Sequence, residues 1–167
     1  MWSKTKKQLE SLLCDSLKGR VQYFVTKYRE SHDSTGRACI LVDKKEMYNV
    51  SCLLHDVKMY DIEQELINDP AYTPKYESKY SSSWEAREIA KDEGVRCTCD
   101  FMHQVYKHFH APILDSLNSD EDITVILALL DRRVGKRTLK KLKGSINEMS
   151  EAVQYFYNLR CEAEGIS

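Results

Sequence analysis

The sequence predicts an α+β fold, mainly helical, in a single globular domain over residues 1–167 with one N-terminal β-hairpin packed on helices. Three observations lead there. Two short runs of period two, around Val21–Val25 and Ala38–Val42, flank a turn-forming stretch, while apolar residues elsewhere recur at helical spacing. Apolar residues make up 42% of the chain and charged residues 31%, the balance of a folded rather than a disordered protein. A length of 167 residues is enough to bury a substantial core in one domain.

Taken in order, Leu9, Leu12, Leu13 and Leu17 form one stripe of an amphipathic helix from Ser3 to Leu17, with Ser3 as its cap and Gly19 at its end. Val21, Tyr23 and Val25 then alternate with Gln22, Phe24 and Thr26, and Ala38, Ile40 and Val42 form the second strand, with HDSTG as the turn between them. Asp43 is expected to open a helix over residues 44–68, stopped by Pro70. Two prolines, a serine run and several tyrosines mark residues 69–83 as a surface loop. Helices follow at Trp84–Lys91 and Cys99–His110, the latter closed by Pro112. Ser119 is expected to cap a helix whose stripe is Ile123, Ile126, Leu127 and Leu130, and Leu139 and Leu142 mark a short helix ending at Gly144. Ser150 opens a last helix, with Val153, Phe156 and Leu159 inward, and Gly165 ends it.

Composition excludes several classes of function. A formal charge of −1 and a pI near 6.5 rule out a polycation, so any basic site must be a patch. The opening residues turn charged at once, and no apolar run approaches the roughly 20 residues that span a bilayer, so a cytoplasmic protein with no membrane partner is expected. Six cysteines would permit a disulfide framework, but in a cytosolic chain of this size thiols are expected instead.

The strongest local feature is DRRVGKRTLKKLK. Arg132, Arg133, Lys136, Arg137, Lys140, Lys141 and Lys143 follow the single acid Asp131, a density of positive charge that suits phosphates or carboxylates. The same residues also fit the solvated face of an amphipathic helix. Gly135-Lys136 is no P-loop: Arg137 stands where Ser or Thr is needed, and Leu130 where the first glycine belongs. Cys97, Cys99, Asp100, His103, His108 and His110 are ligand types, but on a continuous helix Cys99 and His110 stand roughly 16 Å apart, too far for one ion. No resident metal or cofactor is expected. GxSxG, HExxH and glycine-rich dinucleotide patterns are all missing.

The words WSKTKKQLESLLCDSLKGRV, GRACILVDKKE, LDRRVGKRTL and FYNLRCEAEGI together resemble a family of small uncharacterised bacterial proteins with no assigned function. The likeness touches both ends of the chain and leaves residues 55–100 without a counterpart. It implies a complete chain of bacterial cytoplasmic origin, and no catalytic residue to carry over.

The leading expectation is a non-catalytic binding protein that uses Arg132, Arg133, Lys136, Arg137 and Lys140 to contact nucleic acid or an acidic protein. One alternative is a small metal- or cysteine-dependent enzyme centred on residues 97–110. Another is an accessory or immunity-type protein that blocks a toxin by binding it.

Overall fold

A computed structural model describes residues 2–27 and 36–166. The architecture is α+β, with a three-stranded antiparallel sheet near the N-terminus packed on helices. The elements are α1 (Trp2–Leu12), β1 (Val21–Lys27), β2 (Gly36–Val42), β3 (Lys45–Ser51), α2 (Cys52–Asn68), α3 (Ser81–Asp92), α4 (Thr98–His110), α5 (Ile113–Leu117), α6 (Asp122–Leu130), α7 (Lys136–Leu142) and α8 (Glu151–Glu164). No helix among the described residues is long and apolar enough to cross a membrane.

The two expected strands form as β1 and β2; most of the turn assigned between them, residues 32–35, lies outside the described residues. At the other end of β2 the expectation fails, because Asp43 opens no helix. Asp43 (φ 48°) and Lys44 (φ 67°) both take left-handed backbone, the geometry of a two-residue hairpin turn, and return the chain as β3. Arg20 fixes the turn by donating from Nε and Nη2 to the Asp43 carboxylate at 2.8–3.3 Å. The sheet order β1-β2-β3 leaves β3 at an edge, which explains its polar sequence. Gly36 is required at the start of β2, since a Cβ there would lie 2.6 Å from the Thr26 carbonyl oxygen.

The chain's contacts gather into two compact units. The first comprises residues 1–25, 39–49 and 101–167 and is built on α6, in which every residue from Ile123 to Leu130 is buried. Leu9, Leu17, Tyr23, Ile40, Phe101, Val105, Leu139, Val153 and Phe156 complete this core. A helix apolar all round is stable only when enclosed on every side, and here α5 and α8 pack against it. α1 ends at Leu12, earlier than expected, and Ser3 lies inside it rather than capping it. The reason is tertiary: Leu13 pairs as an antiparallel bridge with Asp131, Cys14 N–H donates to Leu130 O (3.0 Å), and Arg132 N–H donates to Leu12 O (2.8 Å). Leu17 stays buried on a short 3-10 turn.

α6 begins at Asp122 rather than beside Ser119, whose hydroxyl accepts from Glu121 N–H instead. α8 forms as expected. Ser150 Oγ accepts from Val153 N–H at 3.3 Å, and Gly165 ends the helix in the left-handed region (φ 63°).

The second unit comprises residues 26–38 and 50–100. Its centre is where α2 meets α3: Ile62, Ala86 and Ala90 are buried, with Met59, Leu66, Ile89 and Val95 packed around them. α3 starts at Ser81, so the loop ends at Tyr80. That loop is tied to α3, because Tyr72 Oη and Lys75 N–H donate to Glu85 Oε1 (2.8 and 2.9 Å) and Lys75 Nζ to Glu88 Oε2 (2.6 Å).

Candidate functional site

The basic segment leaves the C-terminal end of α6, and its geometry is set by Asp131. This side chain is fully buried, yet the site supplies every partner a carboxylate needs. Arg133 donates from its backbone N–H (2.7 Å), Nε (3.0 Å) and Nη2 (2.8 Å), and His108 Nε2 lies 3.1 Å away. Burial alone would raise the carboxyl's pKa; the hydrogen bonds from His108 and Arg133 outweigh it and hold the group at about 2. The tautomer of His108 that donates from Nε2 leaves Nδ1 to accept from the Ser116 hydroxyl, 3.4 Å away.

Ser116, His108 and Asp131 are thus linked in the order of a hydrolase triad, but each is only 1% exposed. The space beside them, walled by Leu9, Leu12, Leu13, Tyr23, Leu127 and Leu130, admits no water molecule. A nucleophile there meets no substrate. The network instead holds the end of α6, a task shared by Arg160. That buried guanidinium donates from Nη1 to Leu129 O (2.9 Å) and Asp131 O (3.0 Å), and from Nη2 to Val134 O (2.8 Å). The Leu129 and Val134 carbonyls would otherwise be orphans at and just beyond a helix terminus, while Asp131 O also accepts from Val134 N–H (3.1 Å).

The five residues singled out in the basic segment therefore separate by role. Arg133 is committed to Asp131. Lys136 donates from Nζ to Glu164 O (2.7 Å) and sits 3.7 Å from that residue's carboxylate. Arg132, Arg137 and Lys140 are exposed, as are Lys141 and Lys143, and none of these five makes an ion pair within 4 Å among the described residues. The sequence counted seven bases; the structure leaves five available on the surface. Leu139 is buried between them and anchors α7.

The cysteine and histidine cluster does not act as a unit. Cys97 N–H donates to Asp100 Oδ2 at 2.9 Å, ahead of α4. Burial, with Asp100 beside it, pushes the Cys97 thiol up to about 12, the opposite of an activated nucleophile. Cys99 is exposed. His110 stacks on Tyr106 (ring centroids 4.2 Å apart), its Nδ1 2.8 Å from the Tyr106 carbonyl oxygen, while His108 belongs to the Asp131 network. Among the described residues no three His, Cys, Asp or Glu side chains come together as a metal site.

The Asp131 network was not read from the sequence. His108 and Asp131 are 23 residues apart, and no local period announces their meeting. The available signal was a single acid directly before a run of bases.

These features define a small α+β protein with a helical core, a buried polar clamp and an exposed basic segment. The chain belongs to the SF0329 protein family, whose sequence model matches residues 1–161. The match bears out the resemblance to an uncharacterised family and extends it through residues 55–100. No curated protein and no solved structure matches the chain.

Proposed function

We propose that the protein is a non-catalytic binding protein of the bacterial cytoplasm whose Arg132–Lys143 segment contacts a polyanion, either nucleic acid or an acidic protein surface. The observation that carries this reading is the exposure of Arg132, Arg137, Lys140, Lys141 and Lys143 with no carboxylate of the described residues within 4 Å of any of them, on a backbone held by Asp131 and Arg160. Fixed backbone with free cationic side chains suits phosphates or carboxylates, which need charge more than shape. An immunity-type role is the special case in which the acidic partner is a toxin.

The test titrates a labelled oligonucleotide and, separately, poly-glutamate into the wild type and into Arg137→Ala/Lys140→Ala/Lys141→Ala/Lys143→Ala. Arg133 and Lys136 are left intact because both are tied into the fold. Nucleic-acid binding should weaken with salt at a log–log slope of about −0.9 per phosphate contacted and collapse in the variant. Binding of poly-glutamate alone selects the protein partner. If neither probe binds at low ionic strength, or the variant binds as well as the wild type, the segment is a solvated face.

A further inference from the structure

We propose that the outer face of α2 is a docking site for a cationic amphipathic helix of another protein. α2 is apolar on two opposite faces. One is inward, where Ile62 is buried, with Met59 and Leu66 packed around it. The other is outward: Leu53, Val57, Tyr60 and Ile67 are each more than half exposed. At 3.6 residues per turn these four fall on one stripe with Gln64, spaced 4, 3, 4 and 3. That is the a/d spacing of a coiled-coil seam: Leu53, Tyr60 and Ile67 hold d positions, Val57 holds an a position, and Gln64 at the remaining a position is a polar register mark. A solvated helix has no need of such a seam, and clustered exposed apolar side chains mark contact surfaces.

Charge identifies the occupant. Asp56 and Glu63 hold the g positions on one side, Glu63 also accepting from the Ser82 and Ser83 hydroxyls; on the other side Asp61 holds an e position, with Glu65 beyond it at b. Lys58 is the single Lys or Arg of α2, and its Nζ is paired with Glu93 at 2.7 Å. An apolar seam between acidic rims repels a copy of itself in either orientation and attracts a helix carrying Lys or Arg at its flanking positions. Size agrees. A face of 17 residues is about 25 Å long and roughly 10 Å wide, on the order of 250 Å², well short of the roughly 800 Å² per partner of a stable standalone interface but enough to pair with one helix of a transient partner.

The probe is a labelled synthetic amphipathic helix of the length of α2, with Leu at a and d and Lys at e and g; its twin carries Glu in place of Lys. Fluorescence anisotropy should show saturable binding of the Lys peptide at least ~10-fold tighter than the Glu peptide. Val57→Lys/Tyr60→Lys should lose that binding with its far-ultraviolet circular dichroism unchanged. Asp61→Lys/Glu65→Lys, which keeps the seam and reverses one rim, should shift the preference toward the Glu peptide. Removing the bases of residues 137–143 should leave peptide binding intact, which separates this site from the basic segment. Equal binding of the two peptides, no saturation, or variants indistinguishable from the wild type would overturn the proposal. So would sedimentation showing that the wild type self-associates and Val57→Lys/Tyr60→Lys does not, since the occupant would then be a second copy.

Discussion

The most apolar helix of the first unit and the longest helix of the second treat apolar surface in opposite ways. In the first unit α6 buries all eight residues from Ile123 to Leu130, and even the acid that follows it is enclosed and paired. In the second, α2 buries just His55 and Ile62 while Leu53, Leu54, Val57, Tyr60 and Ile67 face solvent. At roughly 25 cal/mol per Å² of apolar area removed from water, the first arrangement gains far more from its own chain. The second relies on a small α2–α3 core and on polar ties such as those of Tyr72 and Lys75. One unit satisfies its apolar surface internally; the other leaves a seam available to something else.

Removing the carboxylate from the clamp tests this contrast most strongly. Asp131→Ala leaves His108 and Arg133 without their shared partner, and loss of one member of a buried pair costs about 3–5 kcal/mol, read by denaturant unfolding. Hydrogen exchange should rise in α6 and α8. If it rises equally in α2 and α3, the two units are not separate in stability. Next, Ile62→Ala opens a cavity in the smaller core and should cost about 2–3 kcal/mol, with exchange rising in α2 and α3.

Acid should act on the first unit through Asp131. Its carboxyl is held at about 2, below its ordinary 3.8, so the stabilisation is complete above the ordinary value and is lost as pH falls from about 5 through 2. The amount is about 2 kcal/mol, and an acid titration of Asp131→Asn should lack it. The smallest effect concerns thiols. Cys99 is exposed, and the partly exposed Cys52 has its pKa lowered: burial opposes the shift, and hydrogen bonds from Thr98 and Gly36 outweigh it. Alkylation of the native protein at neutral pH should therefore modify Cys99 and Cys52 first. Cys14, Cys39, Cys97 and Cys161 are buried and should react only on unfolding; fast modification of Cys97 would show the second unit to be looser than described.

What the sequence made legible was whatever is decided within a few residues. Ser150 and Gly165 bound α8 because a cap and a left-handed stop are local chemistry. The stripe Ile123, Ile126, Leu127 and Leu130 announced a helix there, though not that the residues between them would be buried as well. The turn at Asp43-Lys44 was missed because it uses left-handed backbone without the glycine that usually marks it, and β3 because an edge strand needs few apolar residues. The basic segment was visible as charge. Which of its members were free was not, since Arg133 answers to a buried acid and Lys136 to Glu164, 28 residues away. The seam on α2 was partly hidden as well: its spacing lay in the sequence, but mixed with a second apolar face it gave no single period.

The clamp at the end of α6 also sets an order of events during translation. Residues 50–100 of the second unit have all been synthesised before Arg160, the residue that satisfies the carbonyls of Leu129, Asp131 and Val134, emerges from the ribosome. A nascent chain can therefore assemble α2 and α3 early. The first unit, which already has α1 in hand, must hold its most apolar helix incomplete until Arg160 has been added, and α6 is the segment a chaperone would have to shield in that interval.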